Sequence, residues 1–162
     1  MPLAAALQRY LTNRKIGYDL ILHDETPSST RTAGACHVPG DCLAKGVLLR
    51  DRGGYLLAVL PSSHQLRLED LRHELGRGVE LADETEVATV FRDCKRGAVP
   101  PVGACYGLDV IIDKSLDEQP EVYFEAGDHA TLVHVNQEQF AKLVGRACHG
   151  RYSIRMAGVA VH

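Results

Sequence analysis

The sequence predicts an α+β domain with a mixed or antiparallel β-sheet flanked by short helices. Three observations lead to this fold class. The 162 residues suit one domain with a buried core. Segments with strand character outnumber those with long helical periodicity, and we find no internal repeat, linker or low-complexity segment. We therefore expect residues 1–162 to form a single domain.

Side-chain periodicity and turn residues set the expected elements. Leu3, Leu7 and Leu11 recur on one helical face and predict an amphipathic helix. The predicted helices span residues 3–13, about 30–36, 68–75, 84–92 and 137–144. The predicted strands span residues 18–23, 44–49, 55–60, 79–81, 108–113, 121–125 and 131–135, with a hairpin turn at 51–54.

Composition excludes several protein classes. Hydrophobic residues make up 45% and charged residues 24% of the chain, as is ordinary for a globular protein. No apolar run approaches the roughly 20 residues of a membrane helix, and no basic segment precedes the first apolar residues. Five cysteines without C-x-x-C spacing predict free thiols in a reducing compartment. We therefore expect a cytoplasmic protein that does not contact a membrane.

The net charge of −3 excludes a general nucleic-acid binder with a basic surface, and we expect no DNA partner. The charge is nevertheless uneven, because residues 139–162 contain no Asp or Glu. The basic residues of this tail are Lys142, Arg146, Arg151 and Arg155. Two interpretations stay open, namely local contacts with phosphates and a solvated basic segment.

Lys45 interrupts the apolar run over residues 42–49. In a strand it shares a face with Val47 and Leu49. If that face points inward, the ammonium group lies against apolar side chains, and this costs free energy unless an anion is bound. This interpretation predicts a phosphate or carboxylate ligand. The alternative is a lysine at a strand end whose ammonium group reaches water.

Two further segments combine glycine with proline or with titratable side chains. One is the loop from Gly97 to Gly103, which contains the spacing Gly-x-x-x-Pro up to Pro101. The other is the turn Ala126-Gly127-Asp128-His129. Each segment alone is also typical of an ordinary turn.

Together and in this order, the three segments resemble the YbaK and prolyl-tRNA-synthetase editing-domain family of trans-editing aminoacyl-tRNA deacylases. The resemblance runs over roughly residues 15–145. It includes the strand that ends near His23, the helix at Thr32-Ala33 and the strand around Lys45. It implies a barrel-like sheet and hydrolysis of the ester that joins a wrong amino acid to the terminal adenosine of a tRNA.

The resemblance also implies roles for individual residues. Lys45 contacts the nucleotide end of the substrate, and the loop from Gly97 to Pro101 positions the aminoacyl carbonyl. Lys45, Gly97 and Pro101 are the predicted catalytic residues. The predicted substrate-binding residues are His129, Gly127, Gly103, His23 and Thr32. The family loop often continues Pro-Phe-Gly, whereas Val102 follows Pro101 here, and this difference bears on specificity.

The expected substrate is a small amino acid, such as alanine, serine or cysteine, on the tRNA for proline. Arg146 and Arg151 are the predicted contacts to the acceptor stem. We expect no cofactor. Whether a synthetase partner supplies the tRNA specificity stays open. A non-catalytic module that binds the aminoacyl or nucleotide end is the alternative function.

Other chemistries are less favoured by the sequence. Cys36, His37 and Cys42 are possible zinc ligands, but their spacing is irregular, so we expect no metal. No cysteine has the local signature of a nucleophile. His64 follows two serines and is open to a role in a substrate pocket or in a solvated loop.

Overall fold

The computed structural model describes residues 3–23 and 38–156. The helices in these ranges are α1 (Ala5–Arg14), α2 (Leu68–Leu75), α3 (Glu84–Val90), α4 (Lys114–Asp117) and α5 (Gln137–Val144). The strands are β1 (Asp19–Leu22), β2 (Leu43–Asp51), β3 (Gly54–Pro61), β4 (His64–Leu66), β5 (Glu80–Leu81), β6 (Asp109–Asp113), β7 (Glu121–Glu125), β8 (Thr131–Asn136), β9 (Cys148–Gly150) and β10 (Ser153–Arg155).

The main sheet is mixed, as predicted. Its strand order is β1-β8-β7-β2-β3-β6-β9, and β5 pairs with the far end of β2. The β2–β3 hairpin and the β7–β8 and β1–β8 pairs are antiparallel. The β2–β7, β3–β6 and β6–β9 pairs are parallel. Strands β4 and β10 form a separate antiparallel pair. Within the described ranges the sheet is open, with β1 and β9 at its ends.

The largest apolar core covers one face of the sheet. Helix α1 contributes Leu7 and Leu11, α5 contributes Phe140 and Leu143, and the sheet contributes buried side chains such as Phe124. Each helix presents an apolar stripe toward the sheet, and burying that stripe stabilises both elements. None of the described helices has the length and apolar character that a membrane crossing requires.

The opposite face of the sheet carries two smaller cores. One packs α2 and Tyr152 against Leu49, and the other contains Leu43 and Leu132. Because side chains alternate along β2, Lys45 projects from the same face as Leu43 and Leu49. Lys45 therefore lies between the two smaller cores.

Helix caps and turn residues account for where several of the helices and strands begin and end. Asn136 and Asp83 each form a capping box at the start of a helix. Gly76 ends α2 in the left-handed conformation, with φ at 68°. The hairpin turn between β2 and β3 has positive φ at Arg52 and Gly53.

Short elements depart from the predictions. Residues 64–66 form a strand and residues 114–117 form a helix, and neither element is among those that the sequence predicts. The predicted loop from Gly97 to Gly103 ends in a 3-10 helix at Gly103–Tyr106. The tail contains strands β9 and β10. These short strands depend on partners far away in the sequence, so local propensity does not reveal them. The predicted helix near 30–36 lies outside the described residues.

We expect Leu57→Ala to lower the free energy of unfolding by about 2–5 kcal/mol, because Leu57 is fully buried in the main core. The matched control is Leu22→Ala. The Leu22 side chain is 77% exposed, so its truncation should change stability by about 0.5 kcal/mol or less. Urea unfolding followed by circular dichroism measures both variants. Equal losses at the two positions would contradict this assignment of the core.

Candidate functional site

Lys45 lies where two parallel strands separate. Strand β2 pairs with β7 only at Leu43 with Tyr123 and at Ala44 with Phe124. Lys45 and Glu125 are the next residues on the two strands, and the pairing does not continue to them. Alternation places both on the face that carries Leu43 and Tyr123. Among the described residues, this edge of β2 has no paired strand between Ala44 and Leu49, where β5 begins to pair.

The Lys45 side chain is half-buried. Within residues 3–23 and 38–156 it has no hydrogen-bond or ion-pair partner. Burial lowers the pKa of the Lys45 ammonium group, because the charged form loses hydration. An anionic ligand would restore that lost stabilisation, so the environment fits the first of the two sequence interpretations.

A buried carboxylate and a histidine lie at the ends of β7 and β1. Glu125 Oε1 is 3.6 Å from His23 Nε2, and the two side chains are only 3% and 2% exposed. His23 was predicted to be a substrate-binding residue, whereas Glu125 was predicted only as the end of a strand. Alternation places Glu125 on the face of Lys45 only once the register of β7 against β2 is known, and the local sequence does not give that register.

The turn after β7 holds Gly127 and His129 in conformations that are rare for L-residues. The φ angles are 114° at Gly127 and 63° at His129. A Cβ at Gly127 would lie 2.9 Å from Cβ of Ala4 and 3.4 Å from Sγ of Cys94. The amide of Ala4 donates to the carbonyl of Ala126 at 2.8 Å. The N-terminus of α1 therefore packs directly against this turn, and only glycine fits at 127 without displacement.

Hydrogen bonds join this turn to the glycine-rich loop. The Lys95 amide donates to the Gly127 carbonyl at 2.7 Å, and Nε2 of His129 donates to the Arg96 carbonyl. Because Nε2 carries that proton, Nδ1 of the neutral ring is an acceptor. Nδ1 is buried and has no hydrogen-bond partner in the described part of the chain. The structure thus brings the loop, Gly127 and His129 together.

The loop itself presents backbone donors. Gly97 is exposed and has φ at 79°. The Ala98 amide donates to the Lys95 carbonyl at 3.1 Å. The amides of Gly97 and Val99 have no acceptor among the described residues. Backbone amides held in this way are suited to stabilise a developing oxyanion.

Two cavities adjoin the loop at opposite ends of its sequence. One, of about 310 Å³, is lined by Phe91, Gly97 and Val99, among others. The other, of about 400 Å³, is lined by Pro101, Gly103 and other residues that include Arg146. Pro101 and Gly103 are buried, and neither cavity is lined by Lys45 or His129. The structure thus groups Pro101 and Gly103 with Arg146 rather than directly with Lys45.

The two predicted tRNA contacts differ in their surroundings. Arg146 is exposed and has no ion-pair partner among the described residues. Arg151 Nη2 lies 2.6 Å from Glu118 Oε1, and both of these side chains are largely exposed. Arg146 is therefore the better placed of the two to meet a phosphate, because the charge of Arg151 is already balanced.

The described residues contain no cluster of three metal-ligating side chains. Cys36 and His37 of the alternative zinc site, and the predicted binding residue Thr32, lie outside the described residues. Burial raises the pKa of the Cys94 and Cys105 thiols to about 12, so both are poor nucleophiles at neutral pH.

The sequence leaves the role of His64 open and does not reveal its partners. His64 Nδ1 is 2.8 Å from Ser153 Oγ, on the strand that pairs with β4. Arg155 binds both carboxylate oxygens of Asp41, at 2.8 and 2.7 Å. These contacts join residues more than 80 positions apart, so no local pattern announces them.

Comparison with known proteins gives the family. Residues 23–143 match the family model of the aminoacyl-tRNA editing domain, which is more than half of the chain. The chain therefore belongs to the aminoacyl-tRNA editing domain family, and the resemblance found in the three motifs is confirmed. A search of curated proteins gives no significant match.

Solved structures share the fold. A protein proposed to be a trans-editing enzyme for prolyl-tRNA synthetase is 22% identical, with a TM-score of 0.82 over 95% of this chain and 98% of that one. The hypothetical protein APE2540 is 20% identical, with a TM-score of 0.81 over 92% and 99%. A proposed signal transduction protein from Marinobacter aquaeolei VT8 is 21% identical, with a TM-score of 0.78 over 98% of this chain and 32% of its own. Identities this low establish the fold alone.

We expect Gly127→Ala to destabilise the protein by about 1–3 kcal/mol, because its Cβ would overlap Ala4 and the backbone conformation suits glycine. Gly76→Ala is the matched control. Gly76 also has positive φ, at 68°, but a Cβ there meets nothing within 4 Å. Urea unfolding compares the two variants. A smaller loss at Gly127 than at Gly76 would contradict the crowding of the turn.

Proposed function

We propose that this protein is a cytoplasmic hydrolase that acts in trans on mischarged tRNA. It cleaves the ester between a small amino acid, such as alanine, serine or cysteine, and the terminal adenosine, and the tRNA for proline is the proposed carrier. Membership of the editing-domain family supports this function, as does the likeness to a proposed trans-editing enzyme for prolyl-tRNA synthetase.

The observation that carries the proposal is the half-buried Lys45 at the divergence of β2 and β7. Its ammonium group has no anionic partner in the described ranges, and its pKa is lowered by burial. A structural lysine would gain nothing from this position. A lysine that binds the phosphate of the tRNA 3′-end would gain both charge neutralisation and hydrogen bonds.

The reaction needs little beyond positioning. Water adds to the ester carbonyl carbon, the carbonyl oxygen becomes an oxyanion, and the C–O bond to the ribose then breaks. The departing ribose oxygen takes up the proton that the attacking water loses, and the vicinal hydroxyl of the substrate is suited to relay that proton. The amides of Gly97 and Val99 are the proposed oxyanion donors, and one such donor contributes about 2.7–4 kcal/mol.

The crowded turn supports a small amino acid as the substrate. His129 is 5% exposed, and the neighbouring Gly127 contacts Ala4 so closely that a single added methyl group would collide. This turn, which we propose to line the amino-acid pocket, has little room to yield to a large side chain. Discrimination between substrates that differ by one methylene contributes only about 1–3 kcal/mol, so several small amino acids are expected to react.

The alternative function is a binding module that holds the aminoacyl or nucleotide end without turnover. The same Lys45 site and the same family membership fit that function. Hydrolysis is favoured by the available amides of the glycine-rich loop, which a module that binds only the nucleotide end does not require.

We expect Lys45→Met to lower the rate of deacylation by about 100-fold or more, because the substrate loses its positioning charge. Stability should stay the same or rise, because the variant no longer buries an ammonium group. Lys114→Met, on the exposed face of α4, is the matched control. The assay follows release of labelled amino acid from a panel of aminoacyl-tRNAs.

The panel separates the two functions. Hydrolysis of one or a few mischarged species by the wild type and by Lys114→Met, but not by Lys45→Met, is the expected result. No hydrolysis of any species by the wild type would leave the binding module as the function. Equal rates in all three proteins would contradict the role of Lys45.

We expect Arg146→Glu to weaken tRNA binding more than Arg151→Glu, because Arg151 is already paired with Glu118. Loss of one phosphate contact lowers the slope of log affinity against log salt concentration by about 0.7–0.9. Filter binding across a salt series measures that slope. Equal slopes for Arg146→Glu and the wild type would argue against a phosphate contact at this position.

A further inference from the structure

Strand β10 lies outside the region that matches the family model, which ends at residue 143. It pairs with β4 in antiparallel register, with Ser153 opposite Leu66 and Arg155 opposite His64. This pair is separate from the main sheet. The family assignment therefore does not account for strand β10 or for its pairing with β4.

The β4–β10 pair is fixed next to the start of β2. The Ser62 amide donates to the Leu43 carbonyl at 2.7 Å, and Ser63 Oγ donates to Asp41 Oδ1 at 2.5 Å. Both serines are 1% exposed. They form the turn between β3 and β4, so His64 follows directly from a rigid, buried corner.

The same corner brings His64 toward Lys45. Lys45 pairs with Leu60 across the hairpin, and Ala44 pairs with Pro61. The chain then turns through two residues and reaches His64. This register and the short turn place the two residues near each other. Burial is the largest cause of the lowered pKa of His64, and the positive charge of Lys45 is the smallest of its causes.

His64 has a defined orientation. Its Nδ1 is 2.8 Å from Ser153 Oγ. When the serine hydroxyl donates to Nδ1, the neutral ring carries its proton on Nε2. Nε2 has no hydrogen-bond partner in the described ranges, and in that tautomer it presents an N–H donor in a direction set by β10.

Charged groups of both signs surround His64. Lys45, Arg155, Asp41 and Asp113 all contribute to its electrostatic environment, and burial is the largest cause of its lowered pKa. Both oxygens of Asp41 are bound by Arg155. Asp113 accepts hydrogen bonds from the amides of Tyr152 and Ser115. Both carboxylates are thus held by groups of the protein, whereas the Lys45 side chain has no partner among residues 3–23 and 38–156.

We infer that His64, oriented by Ser153, joins Lys45 in one binding site for the phosphodiester that precedes the terminal adenosine of the tRNA. This inference rests on the proposed function and adds two residues to it. Lys45 supplies the charge and the Nε2–H group of His64 supplies a directed hydrogen bond, a combination that suits a singly charged oxyanion acceptor. Ser153 is a positioning residue, because it acts through His64.

The test measures binding of the dinucleotide CpA, whose phosphodiester mimics the end of the tRNA and does not titrate near neutral pH. Two-dimensional NMR titration of the full chain gives the affinity. We expect His64→Ala to weaken CpA binding by about tenfold. His64→Gln retains an N–H donor and should recover part of the affinity. His73→Ala, at an exposed histidine on α2, is the matched control.

The pH dependence distinguishes a binding role from a structural one. Protonation of His64 adds positive charge, so wild-type affinity for CpA should rise as the pH falls through the pKa of His64, which lies below its usual value. Neither His64→Ala nor His64→Gln should show this rise. Ser153→Ala should weaken binding by about threefold and keep the rise, because the imidazole is still present but less well oriented.

Deacylation assays separate this inference from the proposed function. If the wild type hydrolyses mischarged tRNA and His64→Ala has the same KM and the same CpA affinity, the inference is overturned and the function stands. If CpA binds through His64 but no mischarged tRNA is hydrolysed, the function fails and the nucleotide site stands. Absence of CpA binding by the wild type would also overturn the inference.

Discussion

The brief parallel contact between β2 and β7 is the constraint on which the site depends. The two strands pair at only two positions and then separate. Antiparallel pairing with β3 runs from Ala44 to Asp51, whereas the other edge of β2 pairs only near its two ends. This arrangement allows a lysine to remain half-buried in a central strand without destroying the sheet. Desolvation of its ammonium group costs free energy, and a bound anion would offset that cost.

Close packing fixes the turn that contains Gly127 and His129. The turn at Gly127 and His129 is enclosed by the N-terminus of α1 and by the loop before Gly97, through backbone hydrogen bonds at both contacts. Two residues with positive φ persist there because the surrounding packing fixes them. Such rigidity suits a reaction in which an activated ester needs only a positioned water and a stabilised oxyanion.

The charged side chains divide into those that are paired within the protein and those that have no partner in the described ranges. Asp41 with Arg155, and Arg151 with Glu118, are paired within the protein. Arg146 and Lys45 have no such partners in the described ranges. Exposed cations such as Arg9, Lys15, Arg92 and Lys142 also lack an ion-pair partner in these ranges, so Lys45 differs from them by its burial. Local charge placement, rather than overall charge, is what a nucleic-acid substrate would meet.

The sequence by itself determined the mixed α+β class, the β2–β3 hairpin, the capped helices and the three motifs that mark the editing-domain family. These features depend on short-range periodicity, caps and turn residues. Tertiary structure alone decided the rest. It grouped Pro101 and Gly103 with Arg146, buried Glu125 beside His23, and brought Ser153 to His64. Contacts between residues so distant in sequence arise from strand order and packing, which no local pattern encodes.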